Sequence, residues 1–480
     1  MHTALDRKKL ALLAAVLGSF VAGLDATVVN VALPSIKDDL GGGLAGQQWV
    51  SNAYALTLGS LILVGGSLGD LFGERRIFSL GVAGFGIASL LCAVAPSVEV
   101  LVIARALQGV FGALLAPSAL AVIIAAFPPA ERGAAIGSWT AWTGIAFVVG
   151  PVAGGVIVDA TSWRWIFLIN VPFVIVTLLV VARAVQARPR ADHRPHVDSV
   201  GAALCALGLG GPVYALIRQP DAGWGSGEVI LPLAAGLALF GAFLAWERRS
   251  PEPMLPLSLF GRQNFTVGNL ETVAMYGGLS LNIFTTVLFL QQVAGYTALE
   301  SGLATVPVTV VMFLLSKRMG ALADRLGPRL FMGGGPLLAA CGLLLYQRTG
   351  ADAPYLSEVF PALVVFSLGL SMTVAPLTAT VLADADEHNA GIASGVNNAL
   401  ARIAGLLAVA ALGIIVSGAI DVDGFHRVMA ISAGLVALGG VLGLLGIVNP
   451  QRDVECTGCP GGALAGAPES LARSRDKVPA

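Results

Sequence analysis

Fourteen stretches of about twenty residues, each nearly free of charge, follow one another along this chain, a pattern that commits it to a lipid bilayer. Their approximate limits are 10–32, 49–69, 77–95, 100–126, 134–157, 164–184, 198–217, 229–246, 265–289, 301–316, 330–347, 358–381, 391–416 and 427–448. Lipid offers a backbone group no partner, so each stretch is expected to be a helix. Charged residues make up 12% of the 480, against roughly 25% in a soluble domain, too few to cover a water-facing surface of this size. The first stretch follows Arg7, Lys8 and Lys9 and is too long for a cleaved signal, so it reads as an uncleaved span.

The basic residues set the orientation. With the N-terminus inside, the cytoplasmic segments hold 21 Lys and Arg and the outside segments hold five: Lys37, Arg164, Arg218, Arg348 and Arg427. That asymmetry places both termini in the cytoplasm, and a plasma membrane is the expected location. The remaining two, Arg105 and Arg402, lie inside spans.

Several kinds of chemistry find no support. The net charge of −1 argues against nucleic acid. No Gly-Lys dipeptide occurs, so there is no Walker A loop and ATP is not the expected energy source. Residues 65–69, GGSLG, fit the spacing of a hydrolase nucleophile elbow, but they end a span and no strand precedes them. The five histidines form no zinc-like cluster within the spans, and the five cysteines suggest no disulfide framework. Cys456 and Cys459 make a lone C-x-x-C in a Gly- and Ala-rich tail that reads as a floppy segment. No enzyme activity, metal or cofactor is expected.

A repeat organises the spans. Residues 66–76, GSLGDLFGERR, and 320–330, GALADRLGPRL, share Gly, Leu, Asp, Gly and Arg at matching positions, with Asp70 and Asp324 254 residues apart. Six helices with short connections need about 180 residues, so the surplus fits two inserted spans. The expected domains are a six-helix bundle at 1–188, two linking helices at 189–250, a second six-helix bundle at 251–450 and a disordered cytoplasmic tail at 451–480. Two halves related along the membrane normal suit a rocking transporter.

Ionisable groups at membrane depth are costly and mark function by default. Asp25, about six residues from the outer end of the first span, suits a group that loads and releases a proton, with Thr27 and Asn30 on neighbouring turns expected to share its polar face. Arg105 lies at the same depth from the same side in the fourth span, as two charges that pair would, with the guanidinium fork holding the carboxylate at two points. Glu271, early in the ninth span, reads as a second proton site or a cation-attracting group, or else as an interfacial Glu that snorkels to water. Arg402 has no nameable partner. Gly150, Pro151, Gly154 and Gly155 are expected to break the fifth span, since Pro removes a helical hydrogen bond and small residues let another helix approach. Asp70 with Arg75 and Arg76, and Asp324 with Arg325 and Arg329, read as gate loops that latch one half against the other, or as basic loops that serve topology alone. Asn30, Asn52, Tyr54, Met275 and Asn282 are candidate substrate-binding positions.

The chain resembles the major facilitator superfamily, specifically its fourteen-span drug:proton antiporter branch. Residues 23–34, GLDATVVNVALP, match that branch's first-helix motif nearly letter for letter. The loop 66–76 is similar to the superfamily's signature loop, with Gly69 for the usual Ala and Leu71 for the usual basic residue. Residues 101–117, LVIARALQGVFGALLAP, match the fourth-helix motif, with Phe111 where a small residue is usual. Residues 146–155, AFVVGPVAGG, match the antiporter motif of the fifth helix, with Ala146 for its first Gly. The resemblance covers essentially residues 5–450. It implies an all-α membrane protein of the major facilitator fold, with helices 1 and 4 lining a central cavity and the antiporter motif at the interface of the halves. It also implies proton-coupled export of lipophilic or amphipathic drugs or antibiotics by a monomer. An importer of a small polar solute and a non-transporting membrane sensor or enzyme are the competing readings.

Overall fold

The computed structural model describes residues 2–184, 198–251, 253–384, 390–418 and 420–449. Every regular element among them is helical. In chain order the long helices are α1 (His2–Leu40), α2 (Gly43–Phe72), α3 (Glu74–Ala93), α4 (Val98–Ala126), α5 (Pro129–Ala160), α6 (Asn170–Ala184) and α7 (Ser199–Ala222). They continue with α8 (Gly227–Glu247), α9 (Gln263–Gln292), α10 (Ala298–Leu326), α11 (Pro328–Leu345), α12 (Phe360–Ala383), α13 (Ala390–Ala410) and α14 (Val422–Gly446). Thirteen of the spans found among the described residues are long and apolar enough to cross a membrane. The expected second span falls on the remaining long helix, α2, which runs 30 residues. Cys456, Cys459 and the expected tail lie outside the described residues, as does most of the segment before α7.

The breaks between helices follow local chemistry. Asp198 caps α7 by accepting from the Gly201 amide, and Asp421 caps α14 by accepting from Gly424. Thr297 and Glu300 form a reciprocal capping box at the start of α10. Gly73 alone separates α2 from α3, and Gly327 alone separates α10 from α11, with φ of 90° and 92°. Both lie in the left-handed region, which a side chain would strain. They are themselves 254 residues apart, the spacing of the repeat. This corrects the reading of 66–76 and 320–330 as loops: each is a helix end, one glycine and a helix start.

The helices pair in the same way in each half. In residues 2–184, α1 packs on α4, α5 and α6, α2 on α4, and α3 on α4 and α6. In residues 263–446, α9 packs on α12, α13 and α14, α10 on α12, and α11 on α12 and α14. Across the halves α5 meets α10 and α2 meets α13, again an exchanged pair, while α1 meets α9. The helices α7 and α8 pack on each other, and α7 leans on α2 and α13.

The largest apolar core draws on both halves. It joins Leu33, Leu101 and Phe167 to Phe289, Leu343, Phe366 and Phe425. On the outer surface large apolar side chains stay uncovered, among them Ile103 at 69% and Leu231 at 71% exposure. Single solvated positions are ordinary in a soluble protein, but a whole surface of them fits only lipid.

Candidate functional site

Asp25 and Arg105 meet. Arg105 Nη1 donates to Asp25 Oδ2 at 2.5 Å, and both side chains are buried, at 2% and 0% exposure. The same nitrogen donates to Gln108 Oε1 at 2.7 Å, and Arg105 Nε donates to the Val50 carbonyl of α2 at 3.2 Å. The other carboxylate oxygen accepts from Gln108 Nε2 at 2.9 Å and from Asn170 Nδ2 at 3.0 Å. Gln108 and Asn170 both also donate to Ser89 Oγ. The guanidinium lies 4.4 Å over the Tyr54 ring. Five helices thus converge on one buried ion pair, which satisfies the condition for keeping charge in a low-dielectric interior.

The two-point fork expected of Arg105 is not what holds the carboxylate. One nitrogen reaches one carboxylate oxygen, and the amides of Gln108 and Asn170 hold the other. Sequence reasoning missed Gln108, Asn170 and Ser89. Gln108 was findable: three residues after Arg105, it shares that helix face. Asn170 and Ser89 carry no local signal, since their place depends on how α6 and α3 fold back on α1.

Between the halves lies a cleft of about 700 Å³, counting its open mouth, bounded by α1, α5, α9, α10 and α12. Its polar lining is uncharged: Thr27, Asn30, Asn282, Thr286, Thr305 and Thr309. Phe147, Pro151, Ile283, Val308, Leu363 and Phe366 are among the apolar walls. Thr27 and Asn30 line this cleft while Asp25 faces the opposite way, so they do not share a face as expected. The reason is helical geometry: two residues along a helix turn about 200°.

Of the other substrate-binding candidates, Asn282 lines the cleft and accepts from Thr286. Asn52, Tyr54 and Met275 are buried elsewhere, Tyr54 under Arg105 and Met275 in the apolar core. Glu271 does not face the cleft either. It is 0% exposed, its carboxylate lies against Gly443 of α14, and neither oxygen has a partner among the described residues. Full burial also overturns the snorkelling alternative.

The Gly-Pro-Gly-Gly cluster does not break α5, which runs as one helix through Pro151. A proline removes one hydrogen bond, and the turns on either side hold the helix together. Its glycines serve close approach instead. A Cβ at Gly150 or Gly154 would strike Thr27 or Val28 of α1. A Cβ at Gly155 would strike the backbone of Ala298 and Leu299 in α10, and one at Gly302 would strike the Pro151 carbonyl. The segment therefore sits where the halves touch.

Among the described residues, five hydrogen bonds join the halves at this same end. Asp159 accepts from the amides of Ala298 and Leu299 at 3.1 and 2.8 Å. Gln48 donates to the carbonyls of Val409 and Ala410, and Gln291 donates to that of Val31. The expected latch residues lie at the other end of the helices. Arg75 donates to the Ala182 carbonyl of α6, and Arg329 donates to the Leu444 carbonyl of α14, so each fastens a helix end within its own half. Arg76 lies in the first turn of α3, and Asp324 and Arg325 lie in the last turn of α10. Asp70 falls in the last turn of α2, and its side chain lies outside the described residues.

The chain is similar to known proteins in sequence and in fold. The sequence model of the Major Facilitator Superfamily matches residues 15–409. A puromycin resistance protein of Streptomyces alboniger is 36% identical over 460 residues, covering 91% of this chain and 90% of that one. A tetracenomycin C resistance and export protein of Streptomyces glaucescens is 34% identical, covering 85% of this chain and 75% of that one. A crystal structure of a peptide transporter superposes with a TM-score of 0.68 over 90% of this chain and 93% of that one, at 15% identity, a likeness of fold alone. The chain is a multi-pass membrane protein that belongs to the Major Facilitator Superfamily, a transporter of small molecules and not an enzyme.

Proposed function

We propose that the chain exports lipophilic or amphipathic small molecules, antibiotics among them, in exchange for protons. The observation that carries this reading is the buried Asp25–Arg105 pair on the face of α1 opposite the cleft. One helix then bears the proton-loading group on one side and substrate-facing Thr27 and Asn30 on the other. Substrate and proton need not compete for one spot. They compete for the position of α1.

The cycle runs by alternating access. With the halves fastened at Asp159, Gln48 and Gln291, the pair is closed and the cleft holds substrate. Release of that end moves α1 against α4, parts Asp25 from Arg105 and lets the carboxylate take a proton from outside. Return to the fastened state restores Arg105 and expels the proton to the cytoplasm. The positive-inside count supports cytoplasmic termini, so the fastened end faces outward. The relatives' resistance to puromycin and tetracenomycin C supports antibiotics as cargo. The proton gradient drives the cycle without a cofactor, and the monomer is the working unit.

Inverted vesicles test the reading. Uptake of a lipophilic dye should collapse when an uncoupler is added while ATP is maintained. It should also be lost in Asp25→Asn, with membrane insertion intact. Uptake that follows ATP, or persists in that variant at the normal rate, would overturn it.

A further inference from the structure

Arg402 stands in the middle of α13, at its contact with α2, where a Cβ placed on Gly59 would lie 3.6 Å from its own. It is a fixed cation at membrane depth. Among the described residues it makes no hydrogen bond and no ion pair, and its Nε is shielded from solvent with no acceptor. The titratable groups near enough to act on it are two phenols, Tyr54 of α2 and Tyr276 of α9. Among the described residues no carboxylate offsets its charge. Asp25 is taken by Arg105, and Glu271, on the neighbouring turns of α9, faces α14 instead.

The place is not part of the cleft's lining but lies about two helical turns, roughly 10 Å, from it along α9. Tyr276 and cleft-lining Ile283 are seven residues apart on α9, hence on one stripe of that helix. Arg402 as a residue is half-buried rather than sealed. Mid-helix depth puts it beyond lipid headgroups, which stay at the bilayer surface. An unsatisfied guanidinium in such a setting is built for a planar, two-oxygen anion or an aryl oxide, since its fork matches that geometry.

We propose that Arg402 is an anion-binding subsite of the central cleft, taking the carboxylate or phenolate of an acidic lipophilic substrate. The proposal deepens the export reading by naming a substrate class, and rests on it only for the word substrate. With Glu271 turned away, the cleft presents no opposing carboxylate to attract cations. Tyr54 stands under Arg105 at 4.4 Å and is also near enough to act on the charge of Arg402, so a bound anion would sit close to the Asp25 pair.

Two dyes on one xanthene skeleton test it: fluorescein, an anion at mildly alkaline pH, and rhodamine 123, a cation. Fluorescence anisotropy would measure their binding to the purified full-length protein in micelles, for the wild type, Arg402→Gln and Arg402→Lys. Fluorescein should bind the wild type about tenfold more tightly than rhodamine 123, and Arg402→Gln should remove that preference while Arg402→Lys keeps part of it. The wild-type comparison stands even if a variant fails to fold. Equal affinities, no fluorescein binding, or an equal loss of both dyes in Arg402→Gln would overturn the subsite. Transport in inverted vesicles separates the two readings. Arg402-dependent fluorescein binding without proton-driven transport of either dye removes the exporter and leaves the subsite. Proton-driven transport of rhodamine 123 alone, unchanged by Arg402→Gln, does the reverse.

Discussion

Asp25 and Thr27 leave α1 in opposite directions. The carboxylate turns into the first half, where Arg105 holds it at 2.5 Å, and the Thr27 side chain turns into the cleft between the halves. A displacement of α1 toward either side changes both environments at once. Coupling of this kind asks for a rigid helix with two occupied faces, and α1 meets that through its packing on α4, α5 and α6.

The ion pair yields the first prediction. Arg105→Ala and Asp25→Asn should each cut proton-coupled export by more than about tenfold, since breaking a buried pair by removing one partner is costly. The double variant should be little worse than either single one. The measurement is initial export rate against external pH in all three, with membrane protein levels matched. Strictly additive losses would show that the two residues act separately.

The amides around the pair should rank by their bonds. Gln108 joins Arg105, Asp25 and Ser89, whereas Asn170 joins Asp25 and Ser89. Hydrogen bonds to charged groups contribute about 1.5–3 kcal/mol each. Gln108→Ala should therefore slow export more than Asn170→Ala, with both less severe than Asp25→Asn. Initial rates in vesicles decide it, and an Asn170→Ala variant slower than Gln108→Ala would contradict the network as drawn.

The ion pair was legible before the structure because charge at membrane depth is rare and two such charges at one depth invite pairing. The span limits were legible because hydrophobic length is a one-dimensional signal. The repeat was legible from Asp70 and Asp324, although its sharpest structural marks are Gly73 and Gly327, the one-residue breaks. What failed was facing. Asp25 was expected to share the polar face of Thr27, and Glu271 and Met275 were assigned to a cavity from sequence position, but which stripe of a helix meets which neighbour is set by packing over hundreds of residues. The fastening at the other end of the helices was not legible at all, because Asp159, Gln48 and Gln291 bond to backbone groups that leave no trace in sequence.

Orientation has its own test. Asp38 is exposed at the end of α1, on the face of the fold that the basic count puts outside. Asp38→Cys is a better probe than a cysteine in the adjoining Gly41–Gly43 run, where every φ is positive. It should react with a membrane-impermeant thiol reagent in intact cells. Labelling only after the cells are made permeable would invert the topology.

The fastening between the halves gives the last prediction. Asp159 belongs to α5, yet it accepts from the first amides of α10, the position where a carboxylate satisfies orphan donors and meets the positive end of the helix dipole. A cap of this kind contributes about 0.5–2 kcal/mol, so Asp159→Ala should shift the balance away from the fastened state by about two- to thirtyfold. The Ala298 and Leu299 amides report it directly, since they lose their acceptor only if Asp159 holds them. Hydrogen–deuterium exchange across residues 294–303 should quicken by a similar factor, and export should fall without loss of protein from the membrane. Gly302→Leu should act at the same contact by a different cause, as its side chain would meet the Pro151 carbonyl. Gly144→Ala, on the same helix as Pro151 but with open space around it, should change neither rate. Exchange in Asp159→Ala that matches the wild type would mean that the amides are held by something other than the facing half, and the latch would have to be sought elsewhere.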